Sequence, residues 1–250
     1  MQEGSIYTAL SGALALSRRM DSVSNNLANA NTTGYKADRL DFEGVLSQAQ
    51  ANRAARQPDA PLTFPVMQGT ETDYSQGTLQ ETRRALDFAV EGEGFFRVRA
   101  EDGGLAYTRD GHFQLGSDGR LNDSEGRAVL DDQGSPIRPG SDQVTLNRDG
   151  QIFVPDRQGP VARIAAFRAQ DPGLMEKQGD NLYRSQPANM AEAEDSEIRG
   201  GHLERANVNT MEEMVTMMDL QRRYQAMTKA MRTIDETFSE SGQRLASPGQ

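Results

Sequence analysis

Two glutamates alternate with two glycines in Glu91-Gly92-Glu93-Gly94, and two aspartates stand side by side at Asp131 and Asp132. Paired carboxylates are the equipment of glycoside hydrolysis, one as acid and the other as base or nucleophile. Sequence neighbours in a turn rarely face each other, so Asp131 and Asp132 are expected in a solvated turn rather than astride a sugar. The Gly-x-Gly of the EGEG stretch has the outline of a phosphate loop. It lacks the third glycine and the Lys-Ser/Thr of a P-loop, and two glutamates repel phosphate. A bend or bulge in a strand is the expectation there. Acid–glycine pairs at Asp110-Gly111, Asp118-Gly119, Glu125-Gly126 and Asp149-Gly150 look like pieces of a calcium loop. No Asp-x-Asp-x-Asp-Gly run with a glutamate at position twelve accompanies them. The histidines, His112 and His202, each stand alone, and cysteine is absent. That excludes a disulfide, a thiolate nucleophile and a Cys-ligated zinc. No metal, no cofactor, no small-molecule substrate and no catalysis are expected.

Bulk properties narrow the class further. The formal net charge is −10 and the pI about 4.8, which argues against a sequence-blind nucleic-acid binder. Such a binder needs Lys and Arg to displace counterions. Anionic membrane surfaces are disfavoured for the same reason, and no run reaches the roughly 18 apolar residues of a membrane span. The opening MQEGSIYTALSGALALSRRM lacks a basic leader before its Ser/Gly-broken apolar stretch, so it does not read as a cleaved secretory signal.

The elements that could position any site fall into an α+β plan. Ile6, Ala13, Met20 and Leu27 share one heptad position, and Ala9, Leu16, Val23 and Ala30 fall three residues later. At the other end Met217, Tyr224, Met231 and Phe238 repeat every seven, with Leu220, Met227 and Ile234 three later. These are coiled-coil seams. Met211, Met214, Val215 and Met218 make a second stripe slightly out of phase, as a stutter would. Asn209 or Thr210 is the expected helix start, with Glu212 and Glu213 in the first turn. The middle of the chain has period two, punctuated by the acid–glycine pairs, which suit tight hairpin turns. The expected plan is therefore residues 1–36 as an N-terminal helix and signature, 37–84 as extended linker with a hairpin near Gly69 to Gly77, and 85–175 as an inserted antiparallel all-β domain. Residues 176–206 follow as a return linker and 207–250 as the C-terminal helix. The two end helices are expected to pair.

Three stretches then converge. SNNLANANTTGYKADRLDF resembles the N-terminal signature of the bacterial flagellar rod, hook and hook-junction axial proteins, a helix running into Asn-Asn-Leu/Ile-Ala-Asn and then Thr/Ser-x-Gly-Phe/Tyr-Lys. Asn25, Asn26, Leu27, Ala28, Asn29, Thr33, Gly34, Tyr35 and Lys36 match it. LDFAVEGEGFFRV and YTRDGHFQLGSDGRL resemble the central segments of that family. ANVNTMEEMVTMMDLQRRYQAMTKAMRTIDE resembles its C-terminal signature, through Asn207, Val208, Asn209, Glu212, Glu213, Gln221, Arg222 and Tyr224. Within the family, the length and the opening GSIYTALSGALALSRRMD are most like the proximal-rod members, with the distal-rod members as the alternative.

The resemblance implies terminal helices paired as an axial coiled coil facing the bore of a tube, with the β domain outside. It implies a non-enzymatic, torque-transmitting subunit of the basal-body rod, which spans the periplasm. Export would run through the flagellar type III apparatus without a cleaved signal. Partners would be other copies of the chain, proximal and distal rod proteins, and the export apparatus on the MS-ring side, with no nucleic acid and no direct membrane insertion. The expected subunit-interface residues are Ile6, Ala13, Met20, Asn25, Asn26, Leu27, Asn29, Gly34, Tyr35, Met217, Leu220, Gln221, Tyr224, Met227, Met231 and Ile234. The clustered amides are expected both to cap the helix end and to touch neighbours. Two readings from other classes stand against this. One is a secreted peptidoglycan-active enzyme using Glu91, Glu93 or Asp87; the other is a generic coiled-coil adhesin or phage-tail piece.

Overall fold

A computed structural model describes residues 3–40, 71–155 and 157–246. Among the described residues the architecture is α+β, with two long helices and several antiparallel sheets. The chain divides into two compact units. Among the described residues, the first holds 3–28, 38–40, 71 and 209–246, and the second holds 29–37 and 72–208.

The first unit is helical. Helix α1 runs Glu3–Ala28 and helix α2 runs Thr210–Ala246. Asn209 caps α2 as its position suggested: its Oδ1 accepts from the backbone N–H of Met211 at 3.2 Å and of Glu212 at 3.4 Å. Glu212 and Glu213 then lie in the first turn, where the helix dipole favours acids. The heptad positions of α1 turn inward. Ala13 and Val23 are buried, and Leu16, Met20 and Leu27 are half-buried, whereas Leu14, Arg18, Asp21 and Asn25 are exposed.

Two of the contacts between the helices fix their direction. Gly12 lies under the Met227 side chain, so closely that an added Cβ would stand 2.8 Å from Met227 Cε. Asn26 Nδ2 donates to Glu213 Oε1 at 3.1 Å. Fourteen residues separate the two contacts on each helix (12 to 26, and 213 to 227), and the order is reversed, so the helices run antiparallel. On α2 the inward stripe is Thr216, Met217, Leu220, Met227 and Met231, of which Leu220 is 2% exposed. The out-of-phase stripe takes the opposite fate: Met211, Met214, Val215 and Met218 are exposed. The side chains of Ile6, Ala9, Ile234 and Phe238 lie outside the described residues.

The second unit is a β structure of short strands. Phe88–Glu91 pairs with Glu197–Gly200, and Leu79–Glu81 with His202–Glu204, both antiparallel. A four-stranded sheet orders Glu176–Gly179, Leu182–Arg184, Leu105–Thr108 and Phe96–Arg99. Side chains alternate across the strands, so adjacent Phe95 and Phe96 enter different cores. Phe96 joins Phe88, Val98, Phe113, Leu121, Val129, Ile152, Ile164 and Ile198 in the larger one. Phe95 joins Tyr107, Phe167, Met175 and Tyr183 in the smaller. Phe113 is edge-on to both Phe88 and Phe96, at centroid distances of 5.9 and 5.2 Å.

The acid–glycine pairs serve as turns in three of four places. Gly119, Gly126 and Gly150 have φ of +75°, +82° and +76°, a region glycine enters without strain. Gly111 is the exception. It is needed for space, because a Cβ there would sit 1.6 Å from the Phe88 carbonyl oxygen.

The segment 176–206 differs from the return linker expected of it. It forms five strands, four of which pair back onto 79–81, 88–91, 107–108 and 167–169, while Glu176–Gly179 pairs with Leu182–Arg184. Three of these strands bury no apolar side chain and Glu197–Gly200 buries only Ile198, so no alternation marks them in the sequence. Residues 41–70 of the expected linker lie outside the described residues.

Truncation of Phe113 to alanine removes a side chain that is 0% exposed between two other rings. It is expected to cost the β unit about 3–5 kcal/mol. Urea unfolding of the purified chain followed by tyrosine fluorescence measures it; a loss under about 1 kcal/mol contradicts this packing.

Candidate functional site at the two chain-end signatures

The N-terminal signature divides between the two units at the end of α1. In the first unit Asn26 is 2% exposed and engaged on three sides. Its Oδ1 accepts from Asp38 N–H at 2.9 Å, and its Nδ2 donates to Asp38 O at 2.9 Å and to Glu213. Ser22 Oγ donates to the same carbonyl, at 2.9 Å. One amide thus splices the end of α1 to the chain leaving the signature and to the first turn of α2.

In the second unit Gly34, Tyr35 and Lys36 of the signature are buried around a charge cluster. Glu204 is 1% exposed, and its Oε1 accepts from Lys36 Nζ at 2.7 Å and from Gly77 N–H at 2.7 Å. Its Oε2 accepts from Arg109 Nη1 at 2.8 Å. Lys36 is 0% exposed and Arg109 2%. Arg109 also donates to the carbonyls of Val90 and Gly92, and its guanidinium lies 5.4 Å from the centre of the Phe95 ring. Burial pulls the Lys36 ammonium below the ordinary lysine value, and attraction to Glu204 opposes the shift without cancelling it. Burial likewise lowers Arg109, with Glu204 opposing. One carboxylate therefore serves two desolvated cations, so its removal leaves both uncompensated.

The backbone around the cluster has no slack. Gly34 has φ +68°, and its N–H donates to Glu204 O at 2.8 Å. A Cβ on Gly34 would stand 2.4 Å from the Arg109 carbonyl carbon. Tyr35 is buried under Lys177, whose Nζ is 4.2 Å from the ring centre and donates to Lys36 O. Asn207, from the C-terminal signature, accepts from Ala37 N–H and donates to the carbonyls of Asp73 and Ser75. Asn181 Nδ2 donates to Thr33 O at 2.7 Å.

The expected interface residues divide by burial. Ala13, Asn26, Gly34, Tyr35 and Leu220 are buried within the chain. Met20, Leu27, Asn29, Met217, Met227 and Met231 are half-buried, and Asn25, Gln221 and Tyr224 are exposed. The cluster of Lys36, Arg109 and Glu204 was not foreseen. Lys36 was matched only as a motif position, and nothing in the local sequence sets Glu204 apart from the acids around it.

The acids considered for catalysis take separate partners. Asp131 Oδ1 accepts from the N–H groups of Gln133 and Ser135, capping a turn, while Asp132 pairs with Arg163. Glu91 pairs with Arg199, and Asp87 is buried against His112 at 3.0 Å. The EGEG stretch is a strand bend. Gly92 and Gly94 have φ of +109° and +123°, and Gly92 N–H donates to Gln76 Oε1 at 3.1 Å.

Comparison with known proteins places this arrangement in a class. Residues 6–36 match the family model described as flagella basal body rod protein, and residues 89–154 match that of the flagellar hook protein FlgE/F/G D1 domain. Residues 199–244 match the flagellar basal body rod FlgEFG protein C-terminal. All three describe segments of flagellar rod and hook proteins. Among relatives, the flagellar basal-body rod protein FlgF of Caulobacter vibrioides is 34% identical, over 97% of this chain and 98% of its own length. FlgG of Borreliella burgdorferi is 34% identical over 92% and 94%, and FlgG of Bacillus subtilis 30% over 94% and 97%. The chain belongs to the flagellar basal-body rod protein family and is a structural component of the rod.

Two substitution pairs test the cluster. Gly34→Ala meets backbone at positive φ and is expected to cost at least about 2 kcal/mol. Gly12→Ala meets only the flexible tip of Met227 and regains helix propensity, so it stays within about 1 kcal/mol of wild type. Glu204→Gln strands two buried cations and is expected to cost about 3–5 kcal/mol. Lys36→Met leaves the Glu204–Arg109 pair intact and costs less. Denaturant unfolding of the four variants checks both rankings, and either reversed order refutes the account given.

Proposed function

We propose that this chain is a subunit of the proximal rod, with α1 and α2 pairing as an axial coiled coil that stacks among neighbouring rod subunits and carries motor torque. The observation that carries the reading is the antiparallel contact of the two chain ends, at Gly12 with Met227 and at Asn26 with Glu213. Buried and half-buried heptad positions extend that contact along both helices, through Ala13, Met20 and Leu27 and through Met217, Leu220, Met227 and Met231, while the heptad position Tyr224 turns outward. The exposed Met211, Met214, Val215 and Met218 stripe supplies apolar surface for other subunits, and methionine adapts to non-identical partners. Exposed Asn25, Gln221 and Tyr224 are the remaining candidates for subunit contacts.

The FlgF relative of Caulobacter vibrioides, aligned nearly end to end, supports the proximal assignment; the FlgG relatives keep the distal rod as the second reading. No helix of the described residues is long and apolar enough to cross a membrane. The subunit is exported by the flagellar type III route and works in the periplasmic shaft, meeting the proximal and distal rod proteins and the MS-ring side of the export apparatus.

Deleting the gene from its source bacterium is the direct experiment. Swimming should be lost, and purified basal bodies should lack an extended shaft, with both restored by the plasmid-borne gene. Full-length flagella in the deletion strain would overturn the reading. Gly12→Cys with Met227→Cys tests the seam: in complemented cells a short thiol-reactive linker should bridge the two within one chain.

A further inference from the structure

Helix α2 is charge-segregated. Residues 210–219 carry Glu212, Glu213 and Asp219 and no Lys or Arg, whereas 220–234 carry Arg222, Arg223, Lys229 and Arg232 and no Asp or Glu. The acidic part bears the uncovered stripe Met211, Met214, Val215 and Met218, with exposures of 73%, 43%, 61% and 51%. These four positions are spaced i, i+3, i+4, i+7, which puts them on one face of the helix.

The basic part lines a groove against α1. Its walls are Gly12, Ala15, Leu16 and Arg19 from α1 and Arg223, Ala226, Met227 and Ala230 from α2, and its volume is about 690 Å³. Both sets follow the same i, i+3, i+4, i+7 spacing. Four of the eight residues are glycine or alanine, so the groove is shallow-walled and apolar, with arginines on its rim. Residues 12–20 of α1 add Arg18 and Arg19 and no acid.

We propose that these two surfaces are the halves of one contact between copies of this chain. The methionine stripe of one copy seats in the small-residue groove of the next. It rests on the rod-subunit reading and names the faces that meet. Shape and charge both select this pairing. Methionine and valine knobs on an i, i+3, i+4, i+7 row fit between rows of small residues at the same spacing. Asp219 and Arg223 pair with each other within the helix at 2.7 Å and Glu213 accepts from Asn26, which leaves Glu212 beside the stripe to meet Arg19 and Arg222 beside the groove. Stripe on stripe would oppose like charges and cover methionine with methionine, leaving the groove open. Because stripe and groove are different patches, the contact is heterologous and extends head to tail instead of closing.

The absence of native cysteine makes the test clean. Full-length Val215→Cys and full-length Ala230→Cys are purified separately, then mixed at high concentration and low salt with a short bismaleimide. The mixed pair should give at least about tenfold more cross-linked dimer than either variant alone, and the yield should fall steeply at about 1 M salt, where screening removes the charge selection. Arg19→Glu with Arg222→Glu in the groove partner should abolish the excess, and Glu212→Lys in the stripe partner should restore it. Dominant Val215→Cys homodimers, or a mixed yield no higher than that of an Asp102→Cys control on the β unit, overturns the docking. Complementation of the deletion strain separates the two levels. If the cysteine variants restore swimming but never cross-link in isolated basal bodies, this contact fails while the rod assignment stands.

Discussion

The second unit depends on one carboxylate. Glu204 draws together an ammonium, a guanidinium and a backbone N–H from three distant parts of the chain, and the carboxylate and both cations are out of water. Desolvating two cations costs several kcal/mol each, and only close, well-directed bonds to an anion offset that. The geometry is consequently all or nothing. Gly34 must take a left-handed turn, Gly77 must approach without a side chain, and the strand ending at Glu204 must pair with Leu79–Glu81 to hold the carboxylate in place. Three residues on, Asn207 repeats the logic with neutral groups, tying Ala37, Asp73 and Ser75. The cluster fixes where the chain enters and leaves the β unit, which a family of helix–β–helix subunits requires.

The first unit works by a different economy. Its seam sets small residues such as Gly12 and Ala13 among Leu16, Met20, Met217, Leu220 and Met227, and glycine lets the two helices approach closely. Helices gain most of their stability from tertiary packing of this kind. The methionines Met211, Met214 and Met218 of α2 stand outside that seam and leave a row of apolar surface exposed.

How much of this was legible depended on periodicity. Heptads announced both helices, because a seven-residue repeat survives any change in the partner. Asn209 and its following acids announced the start of α2, and Asp118-Gly119 and Asp149-Gly150 announced turns. The closing strands between Glu176 and Glu204 were not legible. Strands such as Glu197–Gly200 and His202–Glu204 bury a single side chain or the polar Glu204, so their membership in a sheet is decided by partners more than a hundred residues away. The charge cluster was hidden for a related reason. A lysine and a glutamate 168 positions apart look like surface residues until the fold removes water from both. Asn26 was noticed as part of a motif, but its work on Asp38 and Glu213 lies in distance, not spacing.

The separation of Lys36 and Glu204 has a temporal consequence. In any vectorial delivery that begins at the N-terminus, the lysine emerges early and its counter-ion last, after most of the chain has passed. Until then the β unit lacks both its edge strands and its internal neutralisation. The high contact order of this bond therefore holds back closure of the β unit until Glu204 has emerged.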